Sequence, residues 1–338
     1  MILVTGGTGL LGSHLLFELV REHEEVVALK RPSSNLEEVK RVFAYHSNEA
    51  EELFKLIDWV DVDLLSQFEL ERVMIDIEQV YHCAGMVSFQ PRDRKRMIDF
   101  NEQSTANVVN ACMEAGVEKL MHVSSSSAIG KAPGGTAADE NRIWARSKYS
   151  SGYAESKFRS EMEVWRGIEE GLKAVIVNPT IILGPGFWDR GSSSMFSRVA
   201  GGLKHATPGV TGYVGVQDVV SAMIQLMSSD IVGERFILSA GDHSYREIFE
   251  MMGTSLGVAR KLKEVSPSTL GLLVRLDAFT GFFSGKRRIT SEHVHSAFYQ
   301  ARFSNEKIRE ALGMEFTPVS EAIEGVARMY RRDFPLKK

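Results

Sequence analysis

Through residue 177, short runs rich in β-branched and other apolar residues alternate with longer stretches of helical periodicity, and this alternation is the tightest constraint on the fold. Two parallel strands need a crossover between them, and a helix supplies it, so strand–helix–strand repeats close as βαβ units. The runs at 2–5, 25–30, 57–62, 79–83, 119–124 and 173–177 predict parallel strands, and the stretches 10–22, 101–115 and 153–170 predict helices between them. The expected class is α/β, a doubly wound parallel sheet with its binding crevice at the carboxyl ends of the strands. After Asn178 the texture changes, with Gly-Pro-Gly at 184–186 and a Gly/Ser run at 191–194. Runs at 213–216 and 235–238, with a helix at 218–227 between them, predict a return to the sheet. Residues 1–178, joined by 212–240, therefore read as one domain, and 179–338 as a smaller, mostly helical lobe.

The first strand leads directly into VTGGTGLLGSHL, which places Gly6, Gly9 and Gly12 on a strand-to-helix turn with Thr8, Leu10 and Leu11 between or beside them. Glycines at such a turn allow a tight bend, close approach of a pyrophosphate, and close helix–strand packing. The free N–H groups and partial positive charge of the helix start then favour phosphate. This turn predicts a dinucleotide site, which makes 1–178 the cofactor domain and the second lobe the substrate side. The second strand ends in VVALKRPSSN, where Lys30, Arg31, Ser33 and Ser34 stand and no acid does. An acid there suits the ribose 2′-hydroxyl of NAD, whereas a cation suits a 2′-phosphate, so NADP is the expected cofactor, with NAD as the alternative. Asp63 and Leu64, past the third strand, are placed to meet the adenine, and Ala84-Gly85 after the fourth lets backbone approach the cofactor.

The fifth strand runs into HVSSSSAIG, setting hydroxyls at the mouth of the crevice. In GYAESKFRSE, Tyr153 and Lys157 lie four apart, on one helical face, where their head groups can converge. A serine hydroxyl, a phenol and an ammonium together meet the needs of carbonyl reduction or alcohol oxidation. A free phenol titrates near pH 10, so the expectation is that Lys157 and the positive nicotinamide of an oxidised cofactor pull Tyr153 down.

The set TGGTGLLG, VYHCAG, VSSSSAIG, Tyr153-x-x-x-Lys157 and VNPTIILGPG, over residues 1 to about 240, resembles the extended short-chain dehydrogenase/reductase family, also called the NAD-dependent epimerase/dehydratase family. The ending ARFSNEKIREALGMEFTPVSEAI is similar to that family's C-terminal lobe. The resemblance implies a Rossmann fold, with Tyr153 and Lys157 both catalytic and in contact with cofactor. It puts the active serine five residues before Gly130, at Ser125, with Ser124 and Ser126 as rivals within the serine run, and gives Ser124 a place at the cofactor. It also places Asn178, Pro179 and Thr180 near the nicotinamide carboxamide. The Asn-Pro form is similar to the branch of dihydroflavonol reductases and sterol dehydrogenases.

Three functions follow as expectations: an NADP-dependent carbonyl reductase or alcohol dehydrogenase, a nucleotide-sugar epimerase with tightly held NAD, and a non-catalytic dinucleotide sensor. The epimerase would use a cationic site for a diphosphate, with Arg190, Arg198, Lys204 and Arg302 as its candidates. The sensor would not need the tyrosine–lysine pair. A net charge of −4 gives no broad basic field for nucleic acid, and two cysteines, Cys83 and Cys112, make neither a disulfide scaffold nor a zinc cluster. His293 and His295 lack a clear third ligand, so no metal is expected, and His82 and His122 read as core histidines. The opening MILVTGG carries no secretory leader, and the apolar stretch 270–283 is broken by Arg275 and Asp277, so a cytoplasmic protein without an integral membrane segment is expected. Phe187, Trp188, Met195, Phe196, Leu270, Phe279, Phe282 and Phe283 predict an apolar small-molecule pocket in the second lobe, and the helix at 153–170 a homodimer contact.

Overall fold

The structure, a computed structural model, describes residues 1–22, 25–130, 132, 135–147, 150–266 and 297–335. Seven parallel strands form the central sheet. In chain order, β1 (Ile2–Thr5), β2 (Val26–Lys30), β3 (Ile57–Asp61), β4 (Gln79–His82), β5 (Lys119–Val123) and β6 (Ala174–Pro179) are the six read from sequence, with ends shifted by one or two residues. Three short strands follow, β7 (Ile181–Leu183), β8 (His205–Ala206) and β9 (Val210–Gly215), before β10 (Glu234–Leu238) joins the sheet, and β11 (Gly241–Ser244) and β12 (Lys263–Glu264) come after it. The order across the main sheet is β10-β6-β5-β4-β1-β2-β3, so the direction of winding reverses between β4 and β1. That is the switch point at which an open α/β sheet leaves a crevice.

Both faces of the sheet are covered, which is why its strands are apolar without a polar alternation. On one face α1 (Leu10–Glu22) and α8 (Val216–Ser228) pack Leu15, Leu16, Val219 and Met223 against Val4, Met121 and Val175. On the other, α5 (Arg94–Ala115) and α6 (Gly152–Glu169) pack Val108, Val109 and Val164 against Leu3, Val80, Leu120 and Ile176. The helix α5 starts seven residues before the predicted 101, because a turn at Pro91–Asp93 launches it and the charged run Arg94, Lys95, Arg96 hides its periodicity.

The expected return to the sheet divides in two. The helix α8 and the strand β10 do rejoin the main layer, but β9 pairs instead with β7 and β11 in a separate three-stranded sheet. At the rim of the main sheet, Ile237 of β10 donates its N–H to Glu140 Oε1 at 2.7 Å, and Arg235 donates to the carbonyls of Glu140 and Arg142. A third cluster joins Trp188, Phe196, Tyr213, Ile248 and Ile323, which closes the second lobe. No helix among the described residues is long and apolar enough to cross a membrane. The residues Leu270, Arg275, Asp277, Phe279, Phe282, Phe283, His293 and His295 lie outside the described residues.

Candidate active site

The glycine turn is crowded to the point where only glycine fits. Gly6 has φ of +70°, and a Cβ there would stand 2.6 Å from the Ala84 nitrogen. A Cβ on Gly12 would stand 2.3 Å from the Gly6 carbonyl oxygen. The turn is closed by Gly9 N–H donating to Gly6 O at 3.0 Å, and Leu10 begins α1, with Leu11 and Gly12 following in its first turn. The first N–H groups of a helix have no partner within it, so this corner offers donors to an anion. A hydroxyl of Thr5 fixes the neighbouring strand exit, accepting from Ala84 N at 3.2 Å and bonding His82 Nδ1 at 2.7 Å. The cradle fits the pyrophosphate of a dinucleotide.

At the end of β2 the two cations differ. Lys30 is paired with Asp61 at 2.5 Å across the β2–β3 register, whereas Arg31 is exposed. Ser34 N–H donates to the Arg31 carbonyl at 2.9 Å and its Oγ accepts from Arg31 N–H at 3.2 Å, which shapes the turn that includes Ser33. Asp63 caps its own turn by accepting from Leu65 N at 3.0 Å, and the Leu64 carbonyl accepts from Asn107 Nδ2 at 3.0 Å. Both residues therefore have structural duties at the third strand exit.

The serine run resolves into distinct environments. Ser124 Oγ donates to Glu161 Oε2 at 2.6 Å, while Ser125 Oγ accepts from Ser127 N at 3.1 Å and acts on the Tyr153 phenol, drawing its pKa down against desolvation. Ser126 begins a short 3₁₀ turn, Ser126–Ala128. The chain thus brings Ser125 and Tyr153 together and turns Ser124 elsewhere. Tyr153 lies in the first turn of α6, whose start is capped by Ser151 accepting from Ala154 N at 3.0 Å.

Lys157 lies one turn further along α6. Its Nζ donates to the Val123 carbonyl at 2.9 Å, and burial lowers its pKa to about 8, with Cys83 and Glu161 opposing that fall. Burial raises the Tyr153 phenol above its usual value, with the Ser125 hydrogen bond opposing. Lys157 is not among the groups that move the phenol here: desolvation raises it and Ser125 lowers it. A Cβ on Gly85 would lie 3.2 Å from Lys157 Nζ, so the glycine leaves the ammonium uncovered toward the strand exit.

Asn178 and Thr180 spend their donors on the protein. Asn178 Nδ2 donates to Ser125 O at 3.1 Å and Glu161 Oε2 at 2.8 Å, while its buried Oδ1 has no partner among the described residues. Thr180 Oγ1 donates to Leu238 O at 3.1 Å, and Pro179, paired with Leu238, ends β6 beside it.

Several residues escape the sequence reading. Glu161 continues the 153, 157 spacing by four more residues and accepts from Ser124, Asn178, Trp165 and Arg235. The spacing is the signal that could have found it. Asn101 bonds the Met86 backbone through both its amide atoms, at 2.7 and 2.9 Å, and its Nδ2 also reaches Ser156 Oγ. Phe89 lies with its ring 5.8 Å from that of Tyr153, and it is 43% exposed while nearby Val87 is 60% exposed, an apolar lip beside the phenol. The buried rings of His82 and His122 sit 5.3 Å apart; His82 is lowered to about 3 and His122 well below its usual value by burial. Among the described residues no group of three or more His, Cys, Asp or Glu side chains could hold a metal.

Comparison with known proteins matches this geometry. The model of the NAD dependent epimerase/dehydratase family fits residues 2–238. The chain is 27% identical to sterol demethylase protein B of Methylococcus capsulatus, over 97% of this chain and 98% of that one. It is 28% identical to a putative dihydroflavonol 4-reductase of Synechocystis, over 75% and 72%. Among solved structures, that of gox2253 superposes with a TM-score of 0.82 at 26% identity, covering 100% and 99% of the two chains. The UDP-glucose 4-epimerase of Thermotoga maritima superposes at 0.77 with 20% identity, covering 98% and 99%, a likeness of fold.

Proposed function

The chain belongs to the NAD-dependent epimerase/dehydratase family and is an NAD(P)-dependent enzyme, and from that premise we propose that it reduces a carbonyl group on an apolar small molecule with NADPH, or oxidises the matching alcohol. The observation that carries this reading is the Ser125 side chain acting on a Tyr153 phenol whose pKa desolvation holds above its usual value. When bound, the nicotinamide supplies the hydride in reduction. The Ser125 hydroxyl donates to the substrate carbonyl oxygen and polarises it. Tyr153 gives its proton to that oxygen as it becomes an alkoxide. Lys157, held on the Val123 carbonyl, offers its remaining protons to the ribose hydroxyls and its charge to the transient phenolate.

The cofactor choice rests on Arg31, with Ser33 and Ser34, since Lys30 is held by Asp61. An apolar substrate is supported by the exposed Phe89 beside Tyr153, and by relatives named for a sterol and for a dihydroflavonol. A cytoplasmic homodimer joined through α6, where Met162 is 41% exposed, accompanies this reading; light scattering on the eluted protein tests the dimer. Fluorescence titration with NADPH and NADH, followed by turnover on a panel of ketones, aldehydes and UDP-sugars, tests the function. Tighter NADPH binding with net NADPH oxidation on a ketone supports it. Turnover of a UDP-sugar with no net change in cofactor would replace it with the epimerase.

A further inference from the structure

Glu161 is buried at 1% exposure, yet a carboxylate there is not an isolated charge, because four donors surround it. Ser124 Oγ at 2.6 Å and Asn178 Nδ2 at 2.8 Å reach Oε2, and Arg235 Nη1 at 2.7 Å and Trp165 Nε1 at 3.3 Å reach Oε1. A buried carboxylate survives only when paired and hydrogen-bonded in this manner. What matters is where the four donors come from. Ser124 stands one residue before Ser125 at the end of β5. Asn178 stands at the end of β6 and, through the same Nδ2, also holds the Ser125 carbonyl at 3.1 Å. Arg235 stands on β10 and ties the chain at 140–142 by three further hydrogen bonds of 2.7 to 3.0 Å. Glu161 itself lies on α6, one and two turns beyond Lys157 and Tyr153.

We propose that Glu161 is a positioning residue: through Ser124 and Asn178 it fixes the Ser125 backbone against α6, and so sets the distance between the Ser125 hydroxyl and the Tyr153 phenol. The inference rests on the reading of Tyr153 as proton donor. A carboxylate is required because a glutamine in its place has one accepting oxygen instead of two, and cannot serve both the Ser124–Asn178 side and the Arg235–Trp165 side. A shift of about 1 Å between reacting groups costs on the order of a hundredfold in rate.

The test uses the full chain and the carbonyl compound with the highest turnover in the panel above. Glu161→Gln leaves Arg235 buried without its counter-charge and can fail to fold, so Ser124→Ala, which removes one donor and no charge, is the deciding variant. Ser124→Ala is expected to lower kcat by about 10- to 100-fold while KM and the NADPH Kd stay within about threefold, and Ser124→Thr, which keeps the hydroxyl, is expected to restore most of the rate. The Tyr153 phenolate, read by ultraviolet difference against Tyr153→Phe with NADP⁺ bound, is expected to titrate about half a pH unit or more higher in Ser124→Ala, because its hydrogen bond to Ser125 is lost. Unchanged kcat and phenolate titration in Ser124→Ala, with Tyr153→Phe inactive, would overturn the positioning role alone. Full turnover by Tyr153→Phe would overturn the site reading and this inference with it.

Discussion

Lys157 donates to the carbonyl of Val123 at 2.9 Å, although Tyr153 sits one helical turn before it on the same face. The two side chains share a helix stripe without sharing a hydrogen bond, and each answers chiefly to burial. The lysine is brought down to about 8 and the phenol pushed up, so the two groups start as an acid and a half-committed cation. A phenol that holds its proton suits the reduction proposed above. Oxidation requires a further positive charge beside the phenol.

A buried ammonium costs stability. The folded pKa of Lys157 lies below its unfolded value of 10.5, so between about 8 and 10.5 the unfolded chain holds more protons and stability rises with pH. Lys157→Met is therefore expected to melt above the wild type at pH 7, with the difference shrinking as pH climbs from 8 to 10. Turnover is expected to fall by about a thousandfold in the same variant. Calorimetry across that range, with one activity assay, checks both.

The cofactor preference is expected to hang on Arg31 and not on Lys30. Arg31→Ala should weaken NADPH about 10- to 100-fold and leave NADH within about twofold, the worth of one charged contact to a phosphate. Asp61→Asn releases Lys30 from its 2.5 Å pair and should strengthen NADPH relative to NADH. Equal losses for both cofactors in Arg31→Ala would exclude a role at the 2′ position.

Acid should unfold the protein early. His14, His82 and His122 are buried and neutral, with the first two held near 3 and the third well below its usual value. Below the unfolded pKa of about 6.5 the unfolded state takes up protons that the native state refuses, and each group removes about 1.4 kcal/mol per pH unit until its folded pKa is reached. His122 has both ring nitrogens unpartnered among the described residues, so His122→Leu is expected to gain about 1 kcal/mol at pH 7 and more at pH 5.5. Urea titrations at the two pH values measure the gain.

Two glycines should differ sharply in what a side chain costs. Gly12→Ala drives a methyl into the Gly6 carbonyl, 2.3 Å away, and is expected to cost about 2–4 kcal/mol and more than tenfold in NADPH affinity. Gly116 ends α5 in the left-handed region with nothing within 4 Å of a Cβ. Gly116→Asn is expected to cost about 1 kcal/mol or less, with NADPH binding unchanged.

Much of this was legible before any coordinates. Strands buried on both faces advertise themselves as apolar runs, and the glycine turn can be read because close backbone approach permits no other residue at Gly6 and Gly12. The shared face of Tyr153 and Lys157 was also readable, since i, i+4 spacing is a property of the helix. The pairing of Lys30 with Asp61 was not, because cross-strand register is set by residues 31 apart. Nor was the state of the Tyr153 phenol, which depends on how much water the folded chain excludes. The position of β9 escaped for a related reason: a short apolar run reads the same whether it pairs within the main sheet or with β7 and β11.

The arginine that meets Glu161 also belongs to a rim. An outermost strand with open N–H and carbonyl groups invites a strand from another molecule. In β10 the amide of Ile237 is taken by the Glu140 carboxylate, and Arg235 straps the same stretch of chain along the border. One side chain, Arg235, therefore both meets the buried Glu161 and covers the border of the sheet. Damage at Arg235 would show first as precipitate in the flask, before any assay could register a slower enzyme.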